Sequence, residues 1–209
     1  MSEQTVIQQA LDALSGVDAQ ARANAINTFV EHEYVDVVPQ LLDLLPTVDP
    51  GTRFLIVKAL GKLIHDAAVF PLLDALRWDD MWTRAAATQA LINIGTAEAI
   101  HGLVDALRDE NKAVRRAAAK AIGKIGVDEN SHHKRTILKG LSFALLDVDD
   151  GVRRFAAEAL GRVDAATMVS ELTTVLDDEN LQVRMAAFRA LASIDTPEAR
   201  AAVRHWVKQ

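Results

Sequence analysis

The stretch Val114-Arg115-Arg116-Ala117-Ala118-Ala119-Lys120-Ala121-Ile122-Gly123-Lys124-Ile125-Gly126 reads as one helix, and relatives of it occur six times along the chain. Arg115 serves as a phase marker. The equivalent arginines are Arg22, Arg53, Arg84, Arg115, Arg153 and Arg184, separated by 31, 31, 31, 38 and 31 residues. A fixed period of this length is the sequence mark of a solenoid. Four residues before each marker stand Asp18, Asp49, Asp80, Asn111, Asp149 and Asn180. Asp and Asn side chains accept hydrogen bonds from the free amides of a helix's first turn. All six therefore read as N-caps of a second helix in each unit.

Leucines set the first helix of each unit. Eight residues before the markers stand Leu14, Leu45, Leu76, Leu107, Leu145 and Leu176. Twelve before are Ala10, Leu41, Leu72, Leu103, Leu141 and Leu172, and fifteen before are Ile7, Val38, Val69, Ile100, Leu138 and Val169. These separations recur at the helical period and make one apolar stripe. On the second helix, positions three, six, seven and ten after the marker are mostly Ala, Leu, Ile or Val, as in Ala118, Ala121, Ile122 and Ile125. One helix pair cannot bury its stripe alone, whereas a stack of pairs can. The expected fold is all-α, with about six helix pairs at residues 5–34, 36–66, 67–96, 98–127, 136–165 and 167–195, closed by a capping helix at 197–208, in one elongated domain.

The columns Leu, Asp/Asn, Val-Arg, Ala-Ala and Leu-Gly-x-Ile resemble the HEAT-like repeats first named for phycobilisome lyases, over nearly the whole chain. The resemblance implies a right-handed α-α superhelix of the HEAT/armadillo type. It also implies a binding scaffold, because repeats of this kind serve many partners. The chain is similar to the small bilin lyase subunits and their chaperone-like relatives. That likeness implies delivery of a linear tetrapyrrole of the phycocyanobilin type to a phycobiliprotein cysteine, with the bilin propionates paired to Arg116, Lys120 or Arg154. The implied partners are a phycobiliprotein subunit or a second, unlike lyase subunit. If the chain is catalytic, lyase activity is the expectation; otherwise it is a chaperone, or a general protein–protein adapter unconnected with bilins.

Composition narrows the classes further. Of 209 residues, 50% are hydrophobic, enough for a continuous core, and there is no cysteine. The chain thus lacks a disulfide framework and a thiol nucleophile of its own, which suits a cytoplasmic setting. Met1-Ser2-Glu3-Gln4 opens without a basic segment followed by an apolar run, so no secretory signal is expected. No run of about 18 apolar residues predicts a membrane span. The net charge of -6 disfavours general nucleic-acid binding, although a local basic face, as in HEAT-like DNA glycosylases, would override it.

The two ends and one interior stretch depart from the pattern. The first unit carries Asn24, Asn27 and Thr28 on its second helix, as a solenoid cap would. Pro50 follows Asp49, the place of proline at the first helical position. The longer spacing before Arg153 is taken up by residues 127–135, read as an exposed loop or an N-terminal helix extension. Thr196-Pro197-Glu198-Ala199 opens a last helix in which Arg200 and Arg204 replace Ile100 and Val104 of an earlier copy. Two charged stripe positions mark it as the C-terminal cap, with Trp206 at its edge.

If positions three, six, seven and ten are buried, positions one, five and nine point away. Second helices usually line the concave side of such stacks. Those positions hold Lys58, Lys62, Arg116, Lys120, Lys124, Arg154, Arg162 and Arg189 against Glu31 and Glu158, while acidic residues gather in the turns. Two readings stay open: a basic ridge for an acidic partner or anionic ligand, or bases placed to suit helix C-termini. Arg116 and Arg154 sit early in their helices, which favours the ridge. Trp78, Met81 and Trp82 flank one turn, where the equivalents of Trp82 are Gln20, Gly51, Ala113, Gly151 and Gln182. They read either as a partner contact or as partly buried packing. Phe54 and Met185 share the column of Arg116.

Catalytic constellations are thin. HEAT-repeat deoxyhypusine hydroxylases hold iron with several His-Glu pairs, and this chain has only His32-Glu33. His132 and His133 are adjacent, without the spacing of four that puts two ligands on one helix face. Gly95 and Gly126 read as helix ends. Gly61, Gly123 and Gly161 lie within helices and read as points of close contact.

Overall fold

The structure is a computed structural model that describes residues 2–78, 80–125, 134–163 and 166–208. Among them are thirteen α-helices and no strand. The chain falls into two compact units. The first, Met1–Ala99, holds α1 (Glu3–Leu14), α2 (Ala19–Glu31), α3 (Val38–Leu44), α4 (Pro50–Leu63), α5 (Val69–Ala75) and α6 (Met81–Ile94). The second, Ile100–Gln209, holds α7 (Ile100–Ala106), α8 (Lys112–Ile125), α9 (Lys134–Ala144), α10 (Asp150–Arg162), α11 (Val169–Thr174), α12 (Leu181–Ser193) and α13 (Pro197–Trp206). Consecutive pairs form repeats one to six, and α13 follows the sixth.

The caps stand where the sequence puts them. Asp18, Asp49, Asp80, Asp149 and Asn180 each accept an amide hydrogen bond from the first turn of the helix they precede. Asn111 does the same for α8 through the Ala113 amide at 2.8 Å. Asp49 adds a bond from the Thr52 hydroxyl at 2.5 Å, and that bond leads the causes holding its carboxyl below the ordinary range. Four of the first helices are led in by a one-turn 3-10 helix, at Val35–Val37, Asp66–Ala68, Ala97–Ala99 and Ala166–Met168. By contrast α9 runs as eleven α-helical residues from Lys134. Lys134 and Arg135 of the period break thus lie in a helix; residues 127–133, with His132 and His133, and also Gly126 lie outside the described residues.

All six leucines of the first-helix column are buried, as are Ala118, Ala121 and Ile122 and most of their equivalents. The second helices meet at their glycines. A Cβ on Gly61 would stand 2.6 Å from Ala90, one on Gly123 2.9 Å from Ala159, and one on Gly161 2.8 Å from the Ala190 backbone. Only hydrogen fits there, which brings α4 against α6, α8 against α10, and α10 against α12. Eleven residues past the marker the chain turns left-handed, at Glu33 (φ 52°), Ile64 (φ 49°) and Gly95 (φ 76°). Within the second unit, α13 closes repeat six: Trp206 donates its indole N–H to the Leu176 carbonyl at 3.2 Å and packs on Phe188, while Arg200 and Arg204 are exposed.

Candidate functional site

The columns at positions one, five and nine remain outside the core in every repeat. In the first unit they present Lys58 and Lys62, both exposed, and a half-buried Phe54 whose ring lies 5.1 Å from the Lys58 ammonium. In the second unit they hold Arg116, Lys120, Lys124, Arg154, Arg162 and Arg189 against Glu158 alone, six cations to one carboxylate. Lys120, Lys124, Arg162 and Arg189 are exposed and have no carboxylate partner among the described residues. Arg154 is half-buried, its guanidinium 4.4 Å from the Phe155 ring. Lys62, Lys124 and Arg162 sit in last helical turns, where the helix dipole accounts for them; Lys58, Lys120, Arg154 and Arg189 do not.

The glycine contacts open a groove between neighbouring second helices, and it recurs. Between α4 and α6 a cavity of about 270 Å³ is lined by Phe54, Lys58, Lys62, Ala86, Gln89 and Asn93. Between α10 and α12 the equivalent cavity of about 370 Å³ is lined by Glu158, Arg162, Ala186, Arg189 and Ser193. In each, the side chain nine residues past the marker donates to the glycine carbonyl of the previous repeat, Asn93 to Gly61 and Ser193 to Gly161, both at 3.1 Å. Both grooves carry basic side chains at the rim, Lys58 and Lys62 in one and Arg162 and Arg189 in the other.

Arg116 differs from the other cations. Its guanidinium is paired with Asp149 at 2.5 and 2.7 Å and touches Asp150 at 3.4 Å. Gly151 leaves the room for it, since a Cβ there would fall 2.3 Å from the Arg116 side chain. The bond from Arg116 is the chief cause that holds the Asp149 carboxyl below the ordinary range. Arg116 is thus a strut between α8 and the cap of α10. This explains a base early in its helix, where the dipole alone would favour an acid.

The marker arginines are themselves partners of the turns. Arg115 donates to the carbonyls of Asp109 and Glu110 at 2.9 and 3.1 Å and forks onto Asp147 at 2.7 and 2.8 Å. Arg153 repeats this on the carbonyls of Asp147 and Val148 and on Asp178, at 2.7 and 3.0 Å. Burial opposes ionisation of Asp147 and Asp178, yet the arginine forks and the amides of Asp149 and Asn180 hold both below the ordinary carboxylate range. The sequence places these acids in the turns but not their pairing with the arginines, although the column is there: six residues before the marker stand Trp78, Asp109, Asp147 and Asp178. Trp78 occupies that column in repeat three. Its half-buried ring takes the Arg53 guanidinium at 4.6 Å in place of a carboxylate. Of the trio at that turn, Trp78 is thus packed within its unit, whereas Met81 and Trp82 are 38% and 65% exposed.

His32 and Glu33 belong to a helix end. His32 Nδ1 lies 3.0 Å from the Thr28 carbonyl oxygen and the ring stacks on Tyr34. No group of three or more His, Cys, Asp or Glu among the described residues is placed to hold a metal ion. No helix among them is long and apolar enough to cross a membrane.

Residues 7–92, 71–141 and 137–209 match the HEAT repeats. No curated protein matches the chain significantly. Among solved structures, a designed armadillo repeat protein in complex with the peptide (KR)4 is similar with a TM-score of 0.69 and 20% identity, over 93% of this chain and 100% of its own. A structure of Kap95p bound to RanGDP is similar with a TM-score of 0.71 and 16% identity, over 98% of this chain and 33% of that one. These two show the fold alone. The complex of CpcE and CpcF of phycocyanin lyase from Nostoc sp. PCC7120 is similar with a TM-score of 0.59 and 25% identity, over 75% of this chain and 98% of that one.

Proposed function

The chain belongs to the HEAT-repeat family, and on that premise we propose that it is a protein-binding scaffold whose second-helix face in the second unit takes an acidic segment of its partner. One observation carries the reading: Lys120, Lys124, Arg162 and Arg189 project from that face without a carboxylate partner among the described residues. A chain of net charge -6 that gathers uncommitted cations on one face has a surface suited to negative charge. Each exposed ion pair contributes only about 0.2–1 kcal/mol, so useful affinity needs several at once, and binding should weaken as salt rises. The test is fluorescence anisotropy with a labelled glutamate-rich peptide. Lys120→Glu with Lys124→Glu and Arg162→Glu should abolish salt-sensitive binding, and unchanged affinity would remove this face from the account.

A second reading narrows the first. The likeness to the CpcE–CpcF complex supports a subunit or chaperone of bilin attachment. In that case the substrate is a linear tetrapyrrole of the phycocyanobilin type, and the partner is a phycobiliprotein subunit or an unlike lyase subunit. Two propionates would suit these residues: among the described residues Lys120 and Arg154 have no carboxylate partner, Arg154 lying against the Phe155 ring, whereas Arg116 is already held by Asp149. Titration with phycocyanobilin, read by visible absorbance and induced circular dichroism, should give a saturable chiral band that Lys120→Glu with Arg154→Glu removes. A flat titration would exclude bilin binding by this chain alone and leave the scaffold.

A further inference from the structure

We propose that the turn edge of repeat five is a separate docking site, which takes a segment of another protein carrying apolar side chains beside Asp or Glu. The repeats supply their own control. Ten residues before the marker stand Asp12, Asp43, Asp74 and Asp105 in repeats one to four, but Phe143 in repeat five. Seven before stand Ser15, Pro46, Arg77 and Arg108, then Leu146, and five before, the acids Glu110 and Glu179 flank Val148 in the neighbouring repeats. Repeat five alone is apolar in all three columns. Phe143, Leu146 and Val148 are 55%, 78% and 93% exposed. The core does not need them, because Leu141, Ala144 and Leu145 of the same repeat already fill it. Contiguous exposed apolar side chains of this kind mark interaction surfaces.

The three residues flank a cavity of about 760 Å³ that also takes in Leu107, Arg108 and Gly140. Gly140 lies in the cavity wall, packed so closely that a Cβ there would press on Val104 and Leu107. This volume lies in the range of about 300–1,000 Å³ that ligand pockets occupy. Charge selects the occupant. Asp147 in the wall is tied to Arg115 at 2.7 Å, and Asp109 accepts the Asn111 amide at 2.8 Å. Arg108 is exposed, lies 5.5 Å from the Phe143 ring, and has no carboxylate partner among the described residues. The available charge in the groove is therefore a cation beside an aromatic ring. A partner residue that buries an apolar side chain on Phe143, Leu146 and Val148 brings a neighbouring carboxylate onto Arg108. This site lies on the turns, does not share residues with the second-helix face, and does not depend on that face binding anything.

The test is selection from a random peptide library displayed on phage, panned on the purified full chain and on a Phe143→Asp, Leu146→Asp variant. Aspartate at 143 restores the residue of four other repeats, and Asp177 occupies the column of Leu146 in repeat six. The variant should therefore fold, which far-ultraviolet circular dichroism verifies. The expected result is a set of peptides rich in apolar residues next to Asp or Glu, bound about tenfold or more weakly by the variant. The Lys120→Glu, Lys124→Glu, Arg162→Glu protein should retain them, and Arg108→Glu should turn the selection toward basic peptides. The proposal is overturned if wild type and variant select the same peptides, if nothing is selected, or if the lost peptides are not acidic. It is also overturned if sedimentation shows a dimer that only the variant dissolves, since the occupant would then be a second copy of the chain.

Discussion

At the scale of single residues, the repeat columns turn each exception into a measurable quantity. Ile64 is left-handed at φ 49° in the column where Gly95 sits at φ 76°. A β-branched residue there costs about 1–2 kcal/mol, and Ile64 is 58% exposed, so little burial offsets the strain. Ile64→Gly should raise stability by about 0.5–1 kcal/mol after the entropy of glycine is counted, measured as a higher urea midpoint. A lower midpoint would show that the exposed side chain outweighs the strain. Trp78 gives a second comparison. Trp78→Ala removes the ring from under Arg53, while Trp78→Asp supplies the carboxylate that Asp147 and Asp178 provide to Arg115 and Arg153. Alanine should cost about 2–4 kcal/mol and aspartate less, so a larger loss with aspartate would refute the equivalence. That equivalence could be read from the sequence once the column was known, whereas the fate of Arg116 could not. Arg116 and Lys120 belong to one class of outward positions. What separates them is Asp149, which lies 33 residues beyond Arg116 and pairs with it and not with Lys120.

At the scale of elements, the second helices are positioned by glycine rather than by bulky core residues. Alanine improves helix propensity over glycine by about 1 kcal/mol. At Gly61, Gly123 and Gly161 that gain meets a contact of 2.6, 2.9 and 2.8 Å with the facing helix. The neighbours are backbone and alanine Cβ atoms, which have no rotamer to change. Overpacking of this kind costs about 1–3 kcal/mol, so each glycine-to-alanine change should lower the thermal midpoint, most of all Gly61→Ala. A rise would mean that the helix pairs slide apart without penalty. The same contacts floor the grooves beside Lys58 and Arg162, so the packing of these helices also shapes the candidate binding face. The sequence reads these glycines as points of close contact; the structure identifies the partner of each as an alanine of the next repeat.

At the scale of the whole molecule, acidity links the turns to stability. Asp49 in the first unit and Asp147, Asp149 and Asp178 in the second are held below the ordinary carboxylate range. Their unfolded values lie near about 3.9. Through that region the unfolded chain binds more protons than the folded one, so stability is fully present above it and falls as pH drops through the folded values. Urea midpoints should hold steady from neutral pH to about 5 and then fall. Asp178→Asn should lose stability at neutral pH, because it leaves the Arg153 guanidinium with a weaker partner, but should show a shallower acid limb. An unchanged acid limb would remove the Arg153–Asp178 pair from the acid response.

The sequence by itself determined the helix pairs, their caps, their buried stripe and the closing helix. Those features rest on forces acting within one or two turns: an Asp side chain reaching the next amides, and apolar residues recurring at the helical period. Only the tertiary structure decided which charges are committed and which are available. It took Arg116 and the marker arginines into the turns, left Lys120 and Arg189 uncovered, and put Phe143, Leu146 and Val148 in water. The reason is distance along the chain. A guanidinium finds its carboxylate some thirty residues away only after the repeats have stacked, as Arg116 does with Asp149 at 2.7 Å, and no local pattern specifies that meeting.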